Sequence, residues 1–244
     1  MTISPTGIRI IRGDTNFLII APHGPFINGV HQNDLRTGLI AEEVQRRLGC
    51  SAIINDLYFK PKGTIKKDAS RFFLDLFRRD HAAKVPGYLE AVSAVVRGDG
   101  NTLVVWIHGI ADDVALARGL EHRRLGLYGG TPDSLHALIG YGQGGDPKTG
   151  DAMERPTMRK ERAAAFRDEL TSRGMTTLLT HPDSTHFRGR DEKRLNQWFV
   201  QQGYGFDQVE SVQLEIRETG FRDSTENAVD TARMIANALA CLRP

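Results

Sequence analysis

Two short apolar runs, each leading to a histidine and a glycine, constrain the fold of this chain more than any other feature. Residues 16–21 (NFLIIA) are followed two positions later by His23, and residues 102–107 (TLVVWI) are followed directly by His108. Apolar runs this short and rich in branched side chains are typical of strands covered on both faces of an α/β sheet. Ligands of such sheets collect outside the carboxyl ends of the strands. The pattern therefore predicts that the two imidazoles form half of a metal site.

The rest of the hydrophobic pattern alternates strands with helices. It predicts further strands at 51–55, 175–180 and 211–216, and helices at 35–48, 86–97, 158–173 and 225–242. Residues 118–151 are expected to be the least regular part, because their glycine- and proline-rich stretches are typical of turns. The alternation predicts an α/β fold of three layers, with a mostly parallel or mixed central sheet flanked by helices. No linker interrupts the sequence, so we expect a single domain over residues 1–244.

Composition excludes several classes of function. The chain has 32 Lys and Arg against 30 Asp and Glu, a net charge of +2, which provides no bulk attraction to nucleic acid or membrane. No apolar run approaches the length of a spanning helix and no signal-peptide pattern is present, so we expect a cytoplasmic protein. Cys50 and Cys241 are too few for a disulfide framework or a cysteine zinc cluster. Any metal must therefore be bound by histidine and carboxylate side chains; the oligomeric state stays open.

A hydrolytic zinc site needs a third protein ligand besides His23 and His108, and keeps one position open for water. Asp34, Glu42 and Glu43 are the carboxylates near the start of the helix that follows the first strand. Asp34 is the best placed, because the start of this helix returns toward the strand end, whereas the two glutamates lie about two turns further on. A helix N-cap is the alternative role for Asp34.

Glu215 is the candidate general base. In the predicted strand at 211–216 it shares one face with Gln213, while apolar side chains occupy the other face. In metal-assisted hydrolysis, a carboxylate that does not bind the metal can take a proton from water and pass it to the leaving amine. A surface salt bridge is the alternative role for this side chain.

Two arginines in an otherwise apolar segment are candidate ligands of a substrate. Arg71 and Arg78 are seven residues apart, so they would share one face if the segment were helical. The planar guanidinium group binds a carboxylate through two parallel hydrogen bonds. The pair therefore indicates a small acidic substrate, with a solvated helix face as the alternative.

In their order along the chain, these segments resemble the N-formylglutamate amidohydrolase family, within the wider group of zinc carboxypeptidase-like hydrolases. The resemblance covers residues 16–220 and is carried by PHGP at 22–25, SRFFLDLFR at 70–78, YLEA at 88–91, VWIHG at 105–109 and QLEI at 213–216. The chain departs from the family pattern at Phe77, where the family has an asparagine, and lacks the serine that follows each histidine signature.

The resemblance implies a phosphorylase/hydrolase-like α/β fold and a Zn²⁺ ion bound by His23, Asp34 and His108, with Glu215 as the general base and arginines holding a substrate carboxylate. The activity that it implies is hydrolysis of the amide bond of an N-acylated amino acid, such as N-formylglutamate, or of a small acidic peptide. A carboxypeptidase- or deacylase-like relative with a larger substrate and a non-catalytic ligand-binding relative are alternatives. A phosphate-binding module built on the glycine-rich loop at 142–145 is a weaker one, because the loop lacks the Lys-Ser/Thr of a P-loop.

Overall fold

A seven-stranded mixed sheet forms the centre of the computed structural model, which describes residues 7–23, 34–59, 74–96, 101–145, 153–184 and 186–242. The strands are β1 (Ile8–Ile11), β2 (Phe17–Ala21), β3 (Ser51–Asn55), β4 (Thr102–Ile110), β5 (Ala137–Gly140), β6 (Thr177–Leu179) and β7 (Val209–Arg217). Their order across the sheet is β1-β3-β2-β4-β7-β5-β6. The central strands β3, β2, β4 and β7 are parallel, β1 is antiparallel to β3, and the parallel pair β5–β6 is antiparallel to β7.

Helices cover both faces of this sheet. They are α1 (Thr37–Leu48), α2 (Arg79–Ala82), α3 (Tyr88–Ser93), α4 (Asp112–Arg124), α5 (Lys160–Ser172), α6 (Trp198–Gln201) and α7 (Thr225–Ala240). Helices α1, α5 and α7 share one apolar core with the sheet, and α2, α3 and α6 share the other. The predicted three-layer α/β architecture is therefore confirmed. Among the helices that the structure describes, none is long and apolar enough to span a membrane.

The central strands are buried on both sides, as their continuous apolar sequences predict. In β4, Val105 and Ile107 face one core, whereas Val104 and Trp106 face the other, and all four side chains are fully buried. This alternation is the two-residue period of a strand between two helical layers. Because β2, β4 and β7 are parallel neighbours, their carboxyl ends open at the same edge of the sheet.

The structure departs from the sequence expectation in the segment 118–151. Helix α4 extends into it and β5 lies within it, and the sequence predicted neither of these elements. Helix α4 buries only Ala115, Gly119 and His122, while its leucines are largely exposed, and it therefore lacks the apolar stripe by which an amphipathic helix is detected. With four residues, β5 is too short to show a periodic pattern.

A fully buried arginine, Arg222, connects two strand ends to the segment that precedes α1. Its guanidinium group donates hydrogen bonds to the carbonyl oxygens of Ile216 at 2.9 Å, Ile110 at 3.0 Å and Leu35 at 2.8 Å. Arg36 returns a hydrogen bond of 2.8 Å to the carbonyl oxygen of Arg222. These bonds hold the ends of β4 and β7 and the start of α1 at fixed relative positions.

Replacing Arg222 with methionine should lower the free energy of unfolding by about 3 kcal/mol or more, because it leaves several buried carbonyl groups without their donor. Urea denaturation of both proteins measures the difference. The matched control is Arg233→Met, since Arg233 is exposed and pairs with Asp230 one helical turn away; its cost should stay within about 0.5 kcal/mol. A loss below about 1 kcal/mol for Arg222→Met would contradict the role given to this side chain.

Candidate metal centre

Three buried side chains from separate segments converge at the carboxyl edge of the sheet. The Nδ1 atoms of His23 and His108 lie 3.2 Å apart, and the His23 Nδ1 atom lies 3.1 Å from Asp34 Oδ2. The His108 Nδ1 atom lies 3.8 Å from Asp34 Oδ1. Each of these side chains is at most 3% exposed. The structure thus brings together the three residues that the sequence nominates as candidate metal ligands.

The two histidines are positioned by the sheet itself. His23 follows β2, and the side-chain amide of Asn55, at the end of β3, fixes the intervening turn by donating a 2.8 Å hydrogen bond to the carbonyl oxygen of Pro22. His108 lies within β4 rather than just beyond it, because this strand continues to Ile110 and not only to the predicted residue 107. Its imidazole is therefore held by a rigid strand.

Asp34 does not cap helix α1 with its side chain. The N-cap position belongs to Arg36, which adopts a left-handed conformation with φ of 62°. The Asp34 carboxylate instead accepts a 2.6 Å hydrogen bond from the backbone N–H of Gly109, directly after His108. The other two carboxylates considered as ligands, Glu42 and Glu43, form ion pairs with arginines. Of the three carboxylates, the structure places Asp34 with the histidines.

Asp75 is a buried residue of this site that sequence reasoning missed. Its Oδ1 atom lies 2.9 Å from His23 Nε2. Because an ionised carboxylate can only accept, this contact places a proton on Nε2 and directs the lone pair of Nδ1 toward the other two site residues. The second oxygen of Asp75 accepts a 2.7 Å hydrogen bond from Arg194. The signal that could have identified Asp75 is a carboxylate between two leucines in an otherwise apolar segment.

An aromatic ring orients the second histidine. The Phe77 ring meets the imidazole of His108 edge-on, with 4.4 Å between ring centroids, and also packs against Trp106 at 5.2 Å. Phe77 is the residue that replaces the asparagine of the family pattern. Here it forms an apolar wall that restricts rotation of the imidazole and excludes water from one side of it, so charges beside it interact more strongly.

Glu215 stands on the strand next to His108. The two residues are direct partners in the parallel β4–β7 pair, so their side chains project from the same face of the sheet. Glu215 is only 5% exposed, which excludes the alternative of a surface salt bridge. The side-chain amide of Gln213, two residues earlier on the same face, donates a hydrogen bond to Glu215 Oε1 and fixes the carboxylate.

Several charged side chains are buried at this edge of the sheet. The carboxylates of Asp34, Asp75 and Glu215 are all buried, and among the described residues Arg222 and Arg194 are cations that act on them. Burial lowers the pKa of the Arg222 guanidinium group, while the negative charges of Asp34 and Glu215 act in the opposite direction. Two imidazole nitrogens and one carboxylate oxygen form a donor set that suits zinc.

The two arginines nominated as substrate ligands are placed differently. Arg71 lies outside the described residues. Arg78 precedes the four-residue helix α2, and its guanidinium group binds Asp80 through Nε at 3.0 Å and Nη2 at 2.9 Å. The hydrogen bonds with Asp80 raise the pKa of Arg78 against the opposing effect of partial burial. Arg78 is partly exposed and carries a permanent positive charge.

The glycine-rich loop that offered an alternative phosphate site is packed against neighbouring backbone. Gly142 has φ of +85°, and a Cβ atom there would lie 1.8 Å from the carbonyl oxygen of Arg155. The buried side chain of Gln143 accepts a hydrogen bond from the backbone of Tyr141 and donates one to the carbonyl oxygen of Thr180. This loop follows β5, which is antiparallel to β7, so it lies at the opposite edge of the sheet from the histidines. Its glycines serve chain packing.

Comparison with known proteins identifies solved structures that have a similar fold. No protein-family model and no curated protein sequence matches the chain. The solved structure of N-formylglutamate amidohydrolase from Ralstonia eutropha JMP134 is similar to it over 97% of each chain, with a TM-score of 0.56 and 13% identity. Gene product Atu2144 from Agrobacterium tumefaciens is similar over 96% of this chain and 95% of its own, with a TM-score of 0.54 and 12% identity. At these identities the likeness concerns the fold, and the chain has the α/β fold of N-formylglutamate amidohydrolase that its motifs predict.

Proposed function

We propose that this protein is a zinc-dependent hydrolase that cleaves the amide bond of an N-acylated amino acid or a small acidic peptide. The spacing of the three donor side chains carries the proposal. Tetrahedral zinc with bonds of about 2.0–2.1 Å separates two of its ligand atoms by about 3.3 Å. The 3.2 Å between the Nδ1 atoms of His23 and His108 and the 3.1 Å from His23 Nδ1 to Asp34 Oδ2 match this separation. The third separation, 3.8 Å from His108 Nδ1 to Asp34 Oδ1, is longer, so binding of the ion would draw these two groups together.

In this proposal His23, Asp34 and His108 would hold the ion, and three protein ligands leave a position open, as in catalytic zinc sites. A bound zinc ion supplies a Lewis acid that polarises a carbonyl group and makes water more acidic. The groups behind the ligands support this role, because Asp75 orients the imidazole of His23 and the backbone N–H of Gly109 orients Asp34. Such partners fix the donor atoms before the ion arrives.

Glu215 is proposed as the general base and as a residue that does not bind the metal. It takes a proton from the attacking water, whose oxygen forms a bond to the amide carbon, and passes that proton to the nitrogen as the C–N bond breaks. The products are a carboxylic acid and an amine. Two observations support this role: Glu215 is the strand partner of His108, and the amide of Gln213 holds its Oε1 atom.

An acidic substrate is the third part of the proposal. Arg71 and Arg78 are proposed to bind its carboxylate, Arg78 by exchanging the carboxylate of Asp80 for that of the substrate. The similar fold of N-formylglutamate amidohydrolase, whose name states an acidic N-acylated amino acid as its substrate, agrees with this class. The rates of hydrolysis of N-formyl, N-acetyl and peptidyl derivatives of glutamate can be compared with those of the same derivatives of a neutral amino acid. This comparison distinguishes the proposed amidohydrolase from a carboxypeptidase or deacylase with a larger substrate and from a non-catalytic relative.

Protein purified without chelators should contain about one zinc ion per chain, because the site offers a single set of three converging donors among the described residues. Elemental analysis measures the content, and His108→Ala should reduce it to background. His181→Ala is the matched control, since His181 follows β6 at the opposite edge of the sheet. The proposal would be contradicted by a wild-type protein that contains no zinc even after dialysis against zinc. It would also be contradicted by a His108→Ala variant with the zinc content of the wild-type protein.

Glu215→Gln should lower kcat by a factor of about 10² to 10⁴, because it preserves size and hydrogen bonding but removes the proton acceptor. Zinc content and KM should stay near those of the wild-type protein. Steady-state kinetics and elemental analysis measure these quantities.

Glu210→Gln is the matched control for this variant. Glu210 is a buried carboxylate on the same strand, at the far end, where it pairs with Arg162. Its replacement should leave the kcat of the folded enzyme unchanged. Loss of zinc in Glu215→Gln would make Glu215 a ligand, and full activity would remove it from the mechanism.

A further inference from the structure

Backbone hydrogen bonds pair the segment at 75–79 with a loop that lies more than a hundred residues later in the chain. The N–H of Arg79 donates to the carbonyl oxygen of Lys193, and the N–H of Leu195 donates to that of Phe77, each at 2.9 Å. The pair forms a short antiparallel bridge outside the main sheet. This bridge brings Arg194 close to the candidate metal centre.

The loop that carries this arginine is anchored by buried amide side chains. Asn196 and Gln197 donate hydrogen bonds of 3.1 and 2.7 Å to the carbonyl oxygen of Gly189, which closes the loop on itself. The hydroxyl group of Ser211, on β7, donates a 3.0 Å hydrogen bond to the side-chain oxygen of Asn196. All three polar side chains are buried. The loop is therefore fixed to the sheet, and the side chain at its centre has a defined position.

Arg194 occupies that central position and contacts the immediate neighbours of both site histidines. Its Nη1 atom lies 2.7 Å from Asp75 Oδ2, while the other oxygen of Asp75 lies 2.9 Å from the Nε2 atom of His23. Its guanidinium group also lies over the Phe77 ring, 5.8 Å from the ring centroid. The same ring contacts the imidazole of His108 edge-on, so Arg194 touches a neighbour of each histidine. The side chain of Arg194 is 31% exposed.

We propose that Arg194 is a positioning residue of the metal centre, which acts through Asp75 to hold the imidazole of His23 with Nδ1 directed at the ion. The proposal rests on the proposed zinc site. A carboxylate can turn about its Cβ–Cγ bond, and a hydrogen bond to one oxygen restrains the direction of the other. The groups behind metal ligands typically contribute 10- to 100-fold to metal affinity because they fix the orientation of the ligands.

Zinc affinity of the metal-free protein, measured by competition with a chromophoric chelator, tests this role without reference to activity. Arg194→Gln should weaken zinc binding about tenfold, the lower end of the range for groups behind a ligand. Arg194→Lys keeps the charge and one donor, so it should recover part of the loss. Arg173→Gln is the matched control, since Arg173 binds Glu169 at the same 2.7 Å and is 27% exposed; it should leave zinc affinity unchanged.

A double-mutant cycle separates positioning through Asp75 from a general effect on the loop. In the Asp75→Ala background the link to His23 is gone, so Arg194→Gln should change zinc affinity by less than about twofold. Equal losses in both backgrounds, or an unchanged affinity in Arg194→Gln alone, would overturn this role and leave the zinc site standing. A wild-type protein that binds no zinc would overturn the proposed function and this role together.

Discussion

The buried guanidinium group of Arg222 is the interaction on which the site at the sheet edge depends. It binds carbonyl oxygens at the ends of β4 and β7 and at Leu35, the residue after Asp34. One side chain thereby sets the distance between the strand that carries His108, the strand that carries Glu215 and the segment that carries Asp34. Its positive charge also acts on two buried carboxylates, Asp34 and Glu215. This charge offsets part of the free-energy cost of burying them.

Around this fixed frame, each candidate ligand is held by a group of a different kind. A carboxylate orients His23, an aromatic ring orients His108, and a backbone N–H orients the Asp34 carboxylate. Orientation by packed and hydrogen-bonded neighbours is what a site needs in order to present donor atoms without rearrangement. The sheet contributes the rest, because its parallel central strands bring residues that are distant in sequence to one edge.

Local sequence pattern was sufficient for the part of the fold that forms the site. Strands β2, β4 and β7 are continuous apolar or alternating runs, and the polar residues at their ends, His23, His108 and Glu215, could be nominated on that basis. The pattern failed for α4 and β5, since the helix buries small side chains without an apolar stripe and the strand is only four residues long. In both, tertiary contacts rather than local periodicity determine the structure.

The residues behind the ligands could not be predicted in the same way. Arginine is normally exposed, so nothing in the sequence marks Arg222 as fully buried. Arg194 reaches Asp75 only through a backbone pairing between segments 119 positions apart, which leaves no local pattern. Long-range pairing is thus the information that the sequence alone did not supply.

Anomalous X-ray diffraction at the zinc absorption edge, on crystals of the zinc-supplemented protein, tests the central claim most directly. The account predicts a single strong peak about 2.0–2.1 Å from the Nδ1 atoms of His23 and His108 and from a carboxylate oxygen of Asp34. Folded, zinc-supplemented protein that shows no peak at these three side chains, with the histidines hydrogen-bonded to each other and to Asp34 instead, would contradict it.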